Sequence, residues 1–185
     1  AWLVPTHEQN ALIGMFTRSR LQGHMSQLIR ELSKDGIVDA VIKSHSQWGI
    51  PAAPIGRTFS DRLLVVGDAA GLVKPTTGGG IYYSFISGEI AAEVICDAIE
   101  SDSFSYKTLR SYQTKWKTVL NNEIQIGLNA RKLLESFSDD QIEVLISHLS
   151  KSDFLNDLTN SSVMSFDWHG RVISHFLRNP SLWKL

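Results

Sequence analysis

The chain has 185 residues, of which 43% are hydrophobic and 20% charged, and its formal net charge is −1. This composition excludes a disordered or fibrous chain, and the length suits one domain. A charge near zero argues against nucleic-acid binding, which relies on a surplus of Lys and Arg at phosphates. A single cysteine, Cys96, excludes an internal disulfide and any cysteine-based zinc site, and a cytoplasmic location is the expectation.

No apolar stretch is long enough to cross a membrane, and the histidines show no metal-ligand spacing. We therefore predict no metal site, with all six histidines at surface or capping positions: His7, His24, His45, His148, His169 and His175. The chain begins in an apolar run without an initiator Met, a basic region or a cleavage site. It is therefore expected to be part of a longer protein.

The first sixty residues predict a small sheet with one helix. Apolar runs from Trp2 to Val4 and from Ala11 to Phe16 indicate a hairpin. Helical spacing predicts an amphipathic helix over His24 to Lys34, ended by Asp35 and Gly36. Alternation over Val38 to Ile50, and a short run ending at Phe59, predict edge strands.

The next segment predicts one strand and one long helix. Leu63 to Val66 are four consecutive apolar residues, which is typical of a strand covered on both faces. The pattern over Ile81 to Ile99 predicts a buried helix with one solvent-exposed stripe of carboxylates. Gly88 in this helix indicates close backbone contact, and Cys96 is expected to be a buried structural thiol. The stripe consists of Glu89, Glu93, Asp97 and Glu100.

Beyond about residue 103 the pattern predicts helices alone. Helical spacing covers four segments: Leu109 to Leu120, Ile124 to Phe137, Gln141 to His148 and Ser165 to Leu177. Ser138-Asp139-Asp140 and Ser152-Asp153 are predicted N-caps, and Asn179-Pro180 closes the last helix. The aromatic residues near the end are expected to anchor the core rather than to contact lipid: Trp168, Phe176 and Trp183.

The stretch from Val65 to Ile81 is the most informative part of the sequence. A buried strand ends at Gly67, and the carboxylate of Asp68 follows at the edge where ligands bind in open α/β sheets. Three consecutive glycines, Gly78 to Gly80, then open a helix whose unpaired N–H groups favour an anion or a partly negative oxygen. A simple turn and a flexible hinge would share these residue types, so the core pattern alone leaves both interpretations open.

The longer motif resembles one family. Gly67-Asp68-Ala69-Ala70-Gly71, then Lys74-Pro75-Thr76-Thr77-Gly78-Gly79-Gly80-Ile81 and Ser87-Gly88-Glu89, resembles the second flavin-binding segment of geranylgeranyl reductases, which are related to aromatic hydroxylases. The opening Trp2-Leu3-Val4-Pro5 is similar to the end of that family's Tyr-x-Trp-x-Phe-Pro segment. Val4 departs from it by replacing Phe.

The resemblance implies a cofactor, FAD, and roles for individual residues. Asp68 would bind the ribityl chain, with Gly67 allowing its approach. Pro75 and Thr76 would shape the loop beneath the flavin ring. Trp2 and Pro5 would line the cavity for a prenyl chain. The pyrimidine edge of the ring would meet the helix start, formed by Gly78, Gly79, Gly80 and Ile81.

The resemblance also implies a function: saturation of isoprenoid double bonds by hydride transfer from reduced FAD. The partners would be a prenyl lipid or diphosphate and an electron donor, either NAD(P)H or a ferredoxin, with peripheral membrane contact as a further expectation. Lys74 would pair with an anionic headgroup or remain solvated. Two alternatives stay open: an FAD-dependent aromatic monooxygenase with a compact polar pocket, and a non-catalytic helical interaction domain whose glycines form a hinge.

The expected fold class is α+β, as part of a hydroxylase-like flavoprotein fold with a partial antiparallel sheet, a flavin-binding strand and helix, and a helical C-terminal region. The expected divisions are 1–60 for the end of the substrate-binding sheet, 61–102 for the flavin segment and 103–185 for the helical region. A Gly-x-Gly-x-x-Gly unit is missing from the sequence. This C-terminal part is therefore predicted to hold FAD weakly or not at all, to be inactive alone, and to self-associate through its exposed strand.

Overall fold

The computed structural model describes residues 1–7, 10–39, 41–151, 156, 158, 160 and 164–178. The chain divides into two compact units, Ala1–Gly49 and Ile50–Leu185. The first unit holds strands β1 (Trp2–Pro5) and β2 (Ala11–Gly14) and helix α1 (Leu21–Lys34). The second holds strands β3 (Phe59–Ser60) and β4 (Leu63–Leu64) and helices α2 (Ile81–Glu100), α3 (Tyr106–Glu135), α4 (Asp139–Lys151) and α5 (Gly170–Leu177).

The hairpin predicted at the start of the chain is confirmed. Strands β1 and β2 pair antiparallel, with Trp2 opposite Gly14 and Pro5 opposite Ala11. The Trp2 indole lies over Gly14, where an added Cβ would overlap the ring. Helix α1 begins at Leu21, three residues before the predicted start, and ends at Lys34 as predicted, with Asp35 at the C-cap.

The edge strands predicted over Val38 to Ile50 are wrong. The described residues of this stretch form no strand, and Val41 and Ile42 are 77% and 64% exposed. Alternation of apolar and polar residues specifies a strand only where a neighbouring strand takes up its backbone hydrogen bonds. Only the end of the predicted run, at Phe59, forms a strand, and it pairs with β4 in the second unit.

Strand β4 is shorter and more open than predicted. Only Leu63 and Leu64 pair with β3, in an antiparallel register. Leu63 is 53% exposed and Val66 is 39% exposed, so this segment is not covered on both faces. The prediction failed because a continuous apolar run indicates burial but does not identify the residues that pack on each face of the strand.

Helices α2 and α3 pack on one another and enclose the main core of the second unit. The core side chains share one stripe on each helix, at spacings of three or four residues. They include Tyr83, Ile90, Val94 and Ala98 on α2, and Leu109, Tyr112, Trp116, Leu120 and Ile124 on α3. Residues 106–135 form one helix where two were predicted, because this stretch contains no proline that would interrupt it.

Helix α2 is less buried than predicted. Its four carboxylates are exposed, as expected, but Ile95 and Ile99 are also 43% and 61% exposed. Cys96 is exposed, so the prediction of a buried thiol is wrong. An added Cβ at Gly88 would meet no atom within 4 Å, so close packing does not explain this glycine.

A buried polar network joins the segment before β3 to α3. The indole N–H of Trp116 donates to the Thr58 hydroxyl at 2.9 Å. The amide oxygen of Gln113 accepts from the Thr58 N–H at 2.9 Å. Nearby, the Tyr112 hydroxyl donates to the Val65 carbonyl at 3.0 Å. Because Thr58, Tyr112 and Trp116 are at most 1% exposed, these bonds fix the position of the chain that leads into β4.

The helices predicted beyond residue 103 are confirmed where the structure describes them, except that α5 begins at Gly170, five residues after the predicted start at Ser165. Ser138 and Gln141 form a capping box before α4, with bonds of 2.9 and 3.3 Å between each backbone N–H and the other side chain. Trp168 packs edge-on against Tyr82, with ring centroids 5.8 Å apart, and Phe176 packs on the buried Leu158. Ser152, Asp153, Asn179, Pro180 and Trp183 lie outside the described residues. No described helix has the length and apolarity that a membrane span requires.

Burial raises the pKa of Tyr112 to about 12. An unfolded tyrosine ionises near pH 10, so above that pH the unfolded state loses a proton that the folded state keeps, and stability falls until the folded tyrosine ionises too. We expect Tyr112→Phe to lower the free energy of unfolding by about 1–3 kcal/mol at pH 7, because it leaves the Val65 carbonyl unpaired. The free energy of unfolding of the variant should also fall less between pH 10 and 12 than that of the unsubstituted protein. Urea denaturation at pH 7, 9 and 11 checks both effects, and an unchanged alkaline decline would contradict the second.

Candidate functional site

An open cleft of about 490 Å³ lies between the end of the β4 segment and the first turns of α2. The chain leaves β4, forms a short 3-10 turn over Gly67–Ala70, and returns through a loop to start α2 at Ile81. Both ends of this connecting segment, the turn at Gly67–Ala70 and the start of α2, border the cleft. Its lining residues are Val66, Gly67, Asp68, Gly80, Ile81, Ser84 and Phe85.

Gly67 allows the strand segment and α2 to lie in contact. Its φ is +55°, a left-handed conformation that glycine adopts without strain. An added Cβ would also overlap the Ser84 hydroxyl on α2. The Gly67 N–H donates to the fully buried Ser87 hydroxyl at 3.1 Å, which holds the turn against the helix.

Gly80 allows the Asp68 carboxylate to lie against the start of α2. An added Cβ at Gly80 would overlap Asp68 Oδ1, so any larger residue would displace the carboxylate. Asp68 is exposed, and its carboxylate accepts no hydrogen bond from the residues the structure describes. The carboxylate is therefore available to accept hydrogen bonds from the hydroxyl groups of a ligand.

The N-terminus of α2 has no cap within the described chain. Gly80 occupies the N-cap position without a side-chain hydrogen bond. The main-chain N–H groups of Gly80, Ile81, Tyr82 and Tyr83 find no acceptor among the described residues. These donors lie at the positive end of a twenty-residue helix, a position that stabilises an anion or a polarised oxygen.

The loop before α2 is closed by its own backbone. The Lys74 N–H donates to the Gly79 carbonyl at 2.9 Å, and the Gly78 N–H donates to the Lys74 carbonyl at 2.8 Å. The Gly79 N–H donates to the Thr77 hydroxyl at 3.3 Å. Two of the three consecutive glycines thus use their N–H groups inside the loop, and Gly80 keeps its N–H for another acceptor.

Lys74 is buried and paired, which corrects both expectations for this residue. It is 7% exposed, and its ammonium lies 2.8 Å from Asp167 Oδ1. It also donates to the Phe166 carbonyl at 3.2 Å and lies 4.8 Å from the centre of the Phe166 ring. Lys74 therefore joins the loop to the segment before α5.

Two further polar contacts hold the same loop, and two more fix the residues around them. The Thr76 hydroxyl lies 2.7 Å from His169 Nδ1, and His169 Nε2 lies 2.9 Å from the Phe166 carbonyl. Since a carbonyl only accepts, Nε2 carries the proton in this arrangement. Arg131 on α3 donates to the Pro75 carbonyl at 3.2 Å. Glu123 accepts from the Gly170 N–H at 2.6 Å, which ties α5 to α3.

Tyr83, in the first turn of α2, is 1% exposed. Its burial raises the pKa of the phenol above the ordinary value, and the nearby carboxylates of Glu123 and Asp167 raise it further. The phenol therefore stays neutral at physiological pH.

The structure brings the predicted cofactor-binding residues together and places the predicted substrate residues in the other unit. Gly67, Asp68, Gly80 and Ile81 line the cleft, and the loop that leads into α2 carries Pro75, Thr76, Gly78 and Gly79. Trp2 and Pro5 lie on β1. Sequence reasoning missed the cleft residues Ser84 and Phe85 and the loop-holding side chains of Glu123, Arg131, Asp167 and His169.

The cleft offers one free carboxylate, a set of unpaired N–H donors and an apolar wall. Ile81 and Phe85, which form the wall, are 78% and 74% exposed. This combination suits a flat molecule that carries both hydroxyl groups and a polarised ring edge, as the ribityl chain and pyrimidine edge of a flavin do. The described residues contain no cluster of side chains suited to a metal ion.

Comparison with known proteins defines the class. Residues 14–86 match the model of an FAD binding domain. The chain is 33% identical to digeranylgeranylglycerophospholipid reductase 2 of Methanopyrus kandleri, over 99% of this chain and 47% of that protein. It is 37% identical to the digeranylgeranylglycerophospholipid reductase of Methanocaldococcus jannaschii, over 82% of this chain and 40% of that protein.

A solved structure shares the fold. The chain matches a geranylgeranyl bacteriochlorophyll reductase-like protein of Thermoplasma acidophilum with a TM-score of 0.70 and 23% identity, over 99% of this chain and 45% of that one. The domain match and the reductase relatives define a flavoprotein whose cofactor is FAD. Over 82–99% of its length the chain is similar to these two digeranylgeranylglycerophospholipid reductases, and it spans less than half the length of either curated relative.

A matched test of the cleft uses Gly80, the N-cap of α2, and Gly88, within the helix. Gly80→Ala should displace the Asp68 carboxylate and weaken flavin binding by about tenfold or more, a loss equivalent to about 1.4 kcal/mol or more. Gly88→Ala has open space around its Cβ. It should leave flavin binding unchanged and stabilise the protein by about 0.5–1 kcal/mol through helix propensity. Flavin fluorescence titration and urea denaturation measure the two effects, and equal flavin affinities would contradict the assignment.

Two ion pairs provide a matched test of the loop. Asp167→Asn leaves the buried Lys74 ammonium without its carboxylate and should lower the free energy of unfolding by about 1–3 kcal/mol. Glu93→Gln breaks the exposed pair with Lys115, in which the side chains are 58% and 43% exposed. That change should cost less than about 1 kcal/mol. Urea denaturation of both variants measures the difference, and similar losses would show that the Lys74 pair contributes no more than a surface pair.

Proposed function

We propose that the cleft holds the ribityl chain and pyrimidine edge of FAD in an enzyme that reduces prenyl chains. The free carboxylate of Asp68 beside the uncapped start of α2 carries this proposal. In this proposal, Asp68 accepts hydrogen bonds from the ribityl hydroxyl groups. Gly67 and Gly80 set the distance between that carboxylate and the helix, because a side chain at either position would overlap its neighbour.

The start of α2 binds the pyrimidine edge in this proposal. The unpaired N–H groups of Gly80 and Ile81 are the donors, since Gly78 and Gly79 bond within the loop. A helix N-terminus stabilises negative charge, and a reduced flavin is anionic near N1. The same donors therefore favour the reduced state of the cofactor.

The loop from Lys74 to Thr77 positions the flavin ring in this proposal. Pro75 and Thr76 lie beneath the ring. Hydrogen bonds from Arg131 to the Pro75 carbonyl and between His169 and the Thr76 hydroxyl fix their positions. The buried pair of Lys74 with Asp167 resists displacement of the loop toward solvent. These residues act through the loop, so they are positioning residues.

The names of the relatives support an isoprenoid lipid as the substrate class. When bound, reduced FAD supplies a hydride to one carbon of a prenyl double bond, a proton completes the other carbon, and the flavin is left oxidised. Trp2 and Pro5 line the path of the prenyl chain in this proposal. The electrons come from a nicotinamide or a ferredoxin.

Replacement of Asp68 in the protein of natural length tests the flavin assignment. Asp68→Asn keeps the size of the side chain but removes the charge that strengthens its hydrogen bonds to hydroxyl groups. We expect flavin affinity to fall about tenfold, a loss of about 1.4 kcal/mol, with an unchanged circular dichroism spectrum. Flavin fluorescence titration gives the affinity.

The control is Asp97→Asn, which removes an equal charge from the exposed stripe of α2 and should leave flavin affinity unchanged. Mass spectrometry of a geranylgeranyl substrate supplied with reduced flavin identifies the reaction. Saturation adds two hydrogens for each double bond. Addition of one oxygen to an aromatic substrate would instead establish a monooxygenase, and equal flavin affinities of the two Asp variants would contradict the role of Asp68.

A further inference from the structure

A second pocket of about 420 Å³ lies between the segment before β3 and the first turns of α3. It shares no lining residue with the flavin cleft. Its walls carry three cationic side chains, Arg57, Arg110 and Lys117, and no carboxylate. The roles proposed for the flavin cleft use none of these residues.

The positive charge of this pocket is not neutralised by the described part of the chain. Residues 103–122 contain four cations, Lys107, Arg110, Lys115 and Lys117, and no Asp or Glu. Lys115 lies 3.1 Å from Glu93, but the pocket cations form no ion pair with a described carboxylate. The carboxylate of Asp61, near the start of α3, accepts from the Tyr106 N–H and is not part of the lining.

The geometry of α3 directs these groups to one place. Arg110, Gln113, Thr114 and Lys117 are spaced three, one and three residues apart, which places them on one helix face. The adjacent face carries core residues, among them Leu109, Tyr112, Trp116 and Leu120.

Gln113 adds a donor with a fixed orientation. Its amide oxygen accepts from both the N–H and the hydroxyl of Thr58, at 2.9 and 3.3 Å. Because the backbone N–H can only donate, this contact identifies the oxygen and fixes the amide. The amide nitrogen donates to no described residue, and Gln113 lines the pocket. A polar group held in this way is suited to a ligand that accepts hydrogen bonds.

Two aromatic rings form the remaining wall. The centroids of Phe59 and Tyr106 are 4.7 Å apart, and the Arg57 guanidinium lies 5.7 Å from the Tyr106 ring centre. The pocket is larger than a phosphate group needs and lies within the size range of small-molecule sites. The cations and the amide suit the anionic end of a ligand, and the rings suit an organic part attached to it.

We propose that this pocket binds a phosphate monoester or diphosphate through Arg57, Arg110, Lys117 and the Gln113 amide. The site is separate from the flavin cleft, so this proposal stands whether or not the flavin assignment holds. Guanidinium and ammonium groups recognise phosphate through charge-assisted hydrogen bonds, and a multivalent anion offsets the repulsion among three cations.

The experiment titrates the protein with inorganic pyrophosphate and measures affinity by calorimetry. The double variant R110Q/K117Q should lose at least tenfold in affinity. The control K107Q/K132Q removes the same charge from α3 at positions outside the pocket lining and should change affinity less than twofold. The exchange R110K/K117R keeps both charges and should retain affinity within threefold. Circular dichroism verifies that each variant is folded, and K117Q alone, with a smaller loss, replaces the double variant if that one does not fold.

Absence of pyrophosphate binding, or equal losses in R110Q/K117Q and K107Q/K132Q, would overturn the proposal. Two further arms identify the source of the phosphate. Sedimentation with vesicles that contain phosphatidic acid, a lipid with a phosphate monoester, lost in R110Q/K117Q and absent with phosphatidylcholine, would identify a lipid headgroup. Binding of ADP that depends on the same two residues, without vesicle binding, would identify a soluble phosphate compound.

Discussion

The contact between the Asp68 turn and the start of α2 determines the chemistry available at the cleft. A carboxylate and an uncapped helix N-terminus attract one another, and in many proteins the carboxylate would simply cap the helix. Here Asp68 lies beside Gly80, yet none of the first N–H groups of α2 donates to it. One site therefore presents both a strong acceptor and several donors, which a flavin can use at once. Glycine is required at positions 67 and 80 because side chains there would separate the two groups.

The loop between the turn and α2 is held by residues distant in sequence. Asp167 and His169 lie more than ninety positions from their partners Lys74 and Thr76. Each contact is individually modest, but one buries a charge that requires its counterion. The helical C-terminal region therefore does more than cover the core, since it fixes the loop on which the flavin ring is proposed to rest.

The sequence predicted local features of the structure but did not predict contacts between residues that are distant in the chain. The hairpin, the three-glycine helix start and the N-cap at Ser138 follow from spacing and residue type, which act over a few residues. The Gly67 to Ile81 motif located the cleft for the same reason. The partners of Lys74 and Thr76 were not predictable, because a Ser-Phe-Asp-Trp-His segment has no pattern that indicates contact with a distant loop. The strand predicted over Val38 to Ile50 failed because pairing needs a partner that local alternation cannot supply.

Helix α3 connects the two polar sites while keeping them energetically separate. Its first half carries the cationic stripe of Arg110 and Lys117, and its second half holds the loop through Glu123 and Arg131. Lys117 and Arg131 are about 21 Å apart at 1.5 Å per residue, beyond the range at which substitutions usually couple. The core residues Trp116, Leu120 and Ile124 of the same helix are at most 1% exposed and leave the helix no freedom to rotate one site against the other. A single rigid element can thus serve both sites, and loss of anion binding at one end need not disturb the loop at the other.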